Sequence, residues 1–228
     1  MENIIFRIIT YLTGILIVSL SITLLIGAGL GVGAWDALNV GLSKTIGLTI
    51  GNWVIIVGIL LIIINSLLSM EKPDFPALLT IGIFGYIIDA LVSILLPLQL
   101  KPIIKIFIFL LGTILLAFGI SIYTDASFAM TPIDKLMFNV AKRTGFSLQV
   151  ARTINEIMAF AFAIIFKGPI GIGTILIALL IGPLIQFFVT FKNKVFKNKK
   201  ISFKISIILI NLLVTLFLIF FIYLFLTK

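Results

Sequence analysis

The stretch Gly27 to Gly51, GAGLGVGAWDALNVGLSKTIGLTIG, most constrains how this chain can fold, because a blurred copy of it returns 98 residues later. Asp36 falls on Asp134, Leu38 on Leu136, Lys44 on Lys142 and Gly47 on Gly145. In each copy a long apolar segment ends in a break, a short amphipathic segment follows, and another apolar segment begins. Two related units, each carrying one interruption, are the simplest body such a chain can form.

The solvent for that body is lipid. Hydrophobic residues make up 61% of the chain and charged residues 11%, far outside the range of water-soluble domains. Several apolar runs reach the roughly 17 to 25 residues that a helix needs to cross a bilayer core. The chain has no cysteine and no histidine, which removes disulfides, thiolate nucleophiles, zinc sites and imidazole chemistry. No cofactor or metal site is expected, and an enzyme is not. The net charge of +9 sits between apolar spans, where topology accounts for it, and nucleic acid is not an expected partner.

In chain order, the expected spans are 4–28, 50–69, 75–97, 103–124, 148–166, 174–191 and 205–227, about seven in all. Between them, 34–46 and 132–144 are too short to cross and are read as half-helices, re-entrant or interfacial. Gly27, Gly29, Gly31 and Gly33 each weaken a helix by about 1 kcal/mol, which stops the first span there. Gly29, Gly31 and Ala34 also match a dinucleotide-binding fingerprint, but that motif requires a preceding strand where this chain has an apolar helix. Thr131, Pro132 and Asp134 form a strong helix start, hydroxyl cap, proline and carboxylate in order, where the first copy has Gly33, Ala34 and Asp36. Thr49 and Ser147 are expected to cap the spans that follow.

The expected fold is therefore all-α and polytopic, with two inverted three-span repeats, 1–98 and 99–191, a basic loop at 192–204 and an additional span at 205–228. Three crossings per unit turn the second unit upside down relative to the first. With the six lysines of 192–204 in the cytoplasm, twelve of the seventeen Lys and Arg residues fall on that side, which sets the N-terminus inside and the C-terminus outside. Inverted repeats with interrupted helices are the architecture of many secondary transporters.

Charge inside a span costs about 2.5 to 3.5 kcal/mol and calls for a partner or a purpose. Asp36 and Asp134 read as helix-start carboxylates or as lining for a solute or cation path. Arg152, Asn155 and Glu156 cluster on the fifth span, with Arg152 and Glu156 one turn apart. They read as an interhelical ion pair or as an anion or proton site. Asp89, deep in the third span, reads as a buried tether, with Arg152 as one partner, or as a proton-coupling carboxylate; Gln186 is its counterpart. Trp35 suits an interface, and Gly171, Gly173 and Thr174 a tight turn or a backbone-lined break.

The motifs G-L-G-V-G-A-W-D at 29–36, R-T-I-N-E at 152–156 and G-P-I-G-I-G-T at 168–174 resemble those of the YczE-like branch of the bacterial YczE/YyaS/YitT membrane proteins, over about residues 5–190. Where that family usually has Pro-Trp-Asp after the first break, this chain has Ala34-Trp35-Asp36. The resemblance implies a multi-pass protein of the bacterial plasma membrane and leaves the chemistry open. The expected function is a secondary transporter or permease for a small solute, with the lipid bilayer as its other partner and no oligomeric state specified. The alternatives are an accessory or assembly protein whose polar residues lock helices together and, behind it, a membrane enzyme.

Overall fold

The computed structural model describes residues 4–96, 101–126, 128 and 130–196. Among these the protein is all helix: α1 (Ile4–Ala28), α2 (Ala34–Ile46), α3 (Ile50–Ser69), α4 (Phe75–Leu95), α5 (Pro102–Asp125), α6 (Pro132–Thr144), α7 (Leu148–Ile165) and α8 (Ile172–Phe196). Six of them, all but α2 and α6, are long and apolar enough to cross a membrane. The expected span at 205–227 lies outside the described residues.

The helix starts follow local chemistry. Each cap supplies an oxygen to a backbone N–H that the first turn leaves without a partner. Thr49 accepts from the Asn52 amide, Asp74 from Ala77, Thr131 from Asp134 and Ser147 from Val150. The first span ends at Ala28 as expected, and the chain turns at 29–33, where Gly29 and Gly31 take φ of 66° and 113°. The basic stretch differs from expectation, because α8 continues to Phe196 and its start is helix, not loop. Lys192 is buried within the bundle and donates to the Ser121 carbonyl at 2.6 Å, among the last-turn carbonyls of α5, where a cation is favoured.

The core is α1 lying along α5. In α1, 78% of the apolar window is buried, against 22% to 33% in the other spans, so α1 is the one helix the rest enclose. The pair is antiparallel: Arg7 meets Ala126, Gly14 meets Tyr123, Val18 meets Gly119 and Leu25 meets Gly112. Glycine makes this approach close enough for backbone contact, the usual means of helix association in lipid. A methyl at Gly14 would sit 2.6 Å from the Tyr123 nitrogen, and one at Gly112 3.0 Å from the Leu25 side chain. Gly14 and Gly112 are 98 residues apart, as are Leu25 and Tyr123. The first contact thus recurs as the second with the halves exchanged. Four hydroxyls buried along α1 return to the carbonyl one turn back: Thr10 to Phe6, Thr13 to Ile9, Ser21 to Ile17 and Thr23 to Ser19.

Because α1 and α5 run in opposite directions, the breaks after them fall at opposite ends of the pair. Each half-helix then packs on a span of the other half, α2 on α7 and α6 on α3. The α3–α6 seam is hydrogen-bonded: Asn65 donates to the Pro132 carbonyl at 2.8 Å and Asn139 donates to Asn65 Oδ1 at 3.0 Å. The α2–α7 seam is close-packed glycine, with Gly41 against Phe166 and Gly168 against the Ala37 carbonyl.

Candidate functional site

Both half-helices begin on one cavity of about 950 Å³ in the middle of the bundle. Gly33 to Asp36 open α2 on it and Thr131 to Asp134 open α6 on it, while α7 adds Arg152 and Glu156. Aliphatic and aromatic side chains from α1, α3, α4, α5 and α8 make up most of the remaining wall. Two helix N-termini, α2 without a side-chain cap and α6 capped by Thr131, thus turn their partial positive charge toward the chamber.

The two equivalent aspartates live in different surroundings. Asp134 is held: Oδ2 accepts from the Thr131 hydroxyl at 2.7 Å and from the Tyr123 hydroxyl at 3.2 Å, and the Asp134 amide donates to Thr131 Oγ1 at 3.1 Å. Asp36 has glycine at the cap position, with no side-chain cap bond. Its carboxylate folds over Gly33, where a methyl would come within 3.0 Å of Oδ2. Glu156 and Arg152, one turn apart on α7, line the same cavity as Asp36 and Asp134. The cavity carries three carboxylates and one guanidinium, a formal excess of two negative charges.

Thr174, Gly33, Trp35, Thr131 and Pro132 share the cavity wall with Asp36, Asp134, Arg152 and Glu156. Gly29, Gly31, Gly171 and Gly173 do not line it, and neither do three polar candidates. Asp89 accepts from the Thr49 hydroxyl at 2.6 Å and the Gly51 amide at 2.7 Å, so it caps the start of α3 from a neighbouring helix, where a carboxylate meets both free N–H groups and the positive helix end. Its tether is Thr49 and Gly51, not Arg152. Asn155 turns toward α6 and donates to the Ile133 carbonyl at 3.5 Å; one residue is about 100° of helix, enough to face it away from Glu156. Gln186 is exposed and does not share Asp89's capping role.

The break glycines serve the joint between halves. The Gly173 amide donates to the Leu30 carbonyl at 2.8 Å. A methyl at Gly31 would fall 2.6 Å from Thr174 Oγ1, and one at Gly171 2.4 Å from the Leu30 carbonyl. The α1–α2 break is thereby keyed into the α7–α8 turn.

Sequence reasoning passed over several lining residues. Tyr123 aligns with Leu25, so the repeat drew no attention to its hydroxyl. Tyr11 and Thr80 hydrogen-bond to each other across α1 and α4 at the cavity wall. Asn39 lies on the wall at 6% exposure and its Oδ1 has no hydrogen-bond partner; the buried Trp35 Nε1 has none either. The i, i+3 spacing from Asp36 to Asn39 is the signal that could have found it.

Among the described residues, six helices long and apolar enough to cross a membrane, with charged groups around a shared cavity, define a polytopic membrane protein. Residues 5–190 match the family of unknown function DUF6198, and the chain belongs to that family. It is 39% identical over 191 residues to the uncharacterized protein YyaS of Bacillus subtilis, covering 83% of this chain and 95% of that one. It is 34% identical over 187 residues to the uncharacterized membrane protein YczE of the same organism, covering 82% and 86%. An uncharacterized protein of Haemophilus influenzae is 27% identical over 165 residues, covering 72% and 75%. No solved structure matches the chain.

Proposed function

We propose that this protein is a secondary transporter for a small solute, built from two inverted halves that expose a shared cavity alternately to the two sides of the bacterial plasma membrane. The observation that carries the reading is the meeting of both half-helix N-termini with Asp36, Asp134, Arg152 and Glu156 on one cavity of about 950 Å³. Discontinuous helices whose positive ends converge on a central site are the usual binding arrangement in transporters of this architecture. The exchanged contacts Gly14 with Tyr123 and Leu25 with Gly112, and the crossed seams α2 on α7 and α6 on α3, support inversion. The excess of basic residues at and near 192–204 supports a cytoplasmic N-terminus.

An accessory role would spend polar residues as pairwise helix ties, as Asp89 and Asn65 are spent. The cavity carboxylates of Asp36 and Glu156 are not spent that way, which favours transport. The test is flux in proteoliposomes over a panel of cationic, anionic, zwitterionic and neutral solutes. Wild type should move one class, and Arg152→Ala and Asp134→Ala should each cut that flux tenfold or more while eluting as folded protein. Equal flux in folded mutants and wild type would refute the site; no flux of any solute would refute transport.

A further inference from the structure

The charges and the unfilled hydrogen-bond positions of the cavity say what kind of solute it suits. Asp134 is already satisfied by Thr131 and Tyr123. Where α2 packs on α7, however, Asp36 and Glu156 both line the cavity and bring two carboxylates to its wall. One turn of α2 there also holds a buried acceptor, Asn39 Oδ1, and a buried donor, Trp35 Nε1, both without a partner. Trp35 and Asn39 are residues of the cavity wall, and a buried polar atom left unpaired costs about 1 to 3 kcal/mol, so a ligand that draws these two side chains toward the chamber completes them. What completes two carboxylates and an amide oxygen is a positively charged N–H donor. What completes an indole N–H is one acceptor atom beside it.

We infer that the cavity binds small organic ammonium compounds that carry a neutral hydrogen-bond acceptor near the nitrogen and an apolar body. In this mode, which rests on the transporter reading only for what happens after binding, the ammonium lies between Asp36 and Glu156 and donates to Asn39 Oδ1. The neighbouring acceptor takes the Trp35 N–H, and the apolar body fills the aliphatic wall, where Ile15, Val18 and Phe84 face the chamber. Such a ligand lowers the formal excess of negative charge from two to one. A zwitterion leaves that excess unchanged and an anion raises it, and the largely apolar wall strengthens that difference relative to water. Arg152, one turn from Glu156, sets the limit on the other side by opposing a second positive charge.

Four near-isosteres separate these classes: 2-amino-1-phenylethanol as the cation, 1-phenylethane-1,2-diol as the neutral compound, mandelate as the anion and phenylserine as the zwitterion. Binding to purified full-length protein in lipid nanodiscs, followed by calorimetry and indole fluorescence, should give saturable binding of the cation at least tenfold tighter than the other three. Asp36→Asn and Glu156→Gln should each weaken the cation tenfold or more and leave the diol unchanged, and Asn39→Leu should weaken it severalfold. Equal binding of all four, tightest binding of mandelate or phenylserine, or no binding of the cation overturns the inference, and the wild-type comparison decides this even if a variant fails to fold. Cation binding without flux in proteoliposomes would sink the transporter reading alone. Flux of mandelate without cation binding would sink the ammonium site alone.

Discussion

The two halves of the molecule solve the same packing problem with opposite chemistry. Where α6 crosses α3 the seam is polar: Asn65 bonds to Pro132 and Asn139, Arg143 donates to the Leu68 carbonyl at 2.7 Å, and Lys135 pairs with Asp74 at 3.1 Å. Where α2 crosses α7 the corresponding positions are small. Gly41 stands for Asn139, Ala163 for Asn65 and Ala37 for Lys135, each at the lag of 98 residues. That seam closes by contact alone, so tightly that a methyl at Gly168 would lie 2.2 Å from the Ala37 carbonyl. Directed bonds hold α6 and close packing holds α2, and the same asymmetry reaches the cavity, where Asp134 has two hydroxyl partners and Asp36 has none. A half-helix held by hydrogen bonds resists sliding, whereas one held by smooth glycine contacts is fixed in distance and freer in register. On the proposed transporter reading, α2 is the element that a bound solute would do most to hold.

The comparison breaks most readily at the glycine seam. Gly168→Leu forces a side chain into backbone, and overpacking typically costs about 1 to 3 kcal/mol with more where backbone must move. The expected result is a loss of about 3 kcal/mol or failure to yield monodisperse protein, read by thermal denaturation in micelles; a near-normal melt would show that α2 is not held by contact. The polar seam should be more forgiving. Interhelical hydrogen bonds in membranes average about 0.6 kcal/mol and reach about 1.7 kcal/mol. Asn65→Leu and Asn139→Leu should each fall in that range, and the double variant should cost less than their sum, since the two share one bond. Strict additivity would separate them.

These seams mark where residue-level reading succeeds and where it stops. Thr49, Thr131 and Ser147 were legible as caps because cap chemistry is decided within three residues of chain. Asp36 and Asp134 were matched through the lag of 98 residues in the sequence, and both line the cavity. Asp89 was not, since its partners Thr49 and Gly51 are about 40 residues away and nothing local distinguishes an interhelix cap from a lone carboxylate. Asn155 and Glu156 were merged because adjacent polar residues leave the inner face of a helix ambiguous. The glycines at 31, 171 and 173 read as a break and a turn, and nothing local showed that the two would meet. Lys192 was read as loop because a run of lysines signals orientation, and only the packing of α8 on α5 reveals that its first member is buried.

A weaker contrast lies at the ion pair. Lys135 and Asp74 are each about one-quarter to one-fifth exposed, at 24% and 21%, so water screens them in part. Lys135→Met should cost about 0.5 to 1 kcal/mol. High salt should shrink the difference between variant and wild type in the same denaturation assay. A difference that salt leaves untouched would mean that the lysine stem, not its charge, holds α6 to the α3–α4 turn.

The finest test gives α6 the cap of α2. Thr131→Gly removes the hydroxyl that both accepts the Asp134 amide and donates to its carboxylate, and so reproduces the Gly33 and Asp36 arrangement in the second half. Glycine at a cap costs only a few tenths of a kcal/mol relative to threonine, while alanine costs about 1 kcal/mol. Stability should therefore rank wild type, Thr131→Gly, Thr131→Ala, with the first gap barely resolved. If glycine proves as costly as alanine, the hydroxyl's bond to the Asp134 carboxylate outweighs its role as a cap. The asymmetry of the two aspartates would then contribute to holding α6 in place as well as to shaping the cavity.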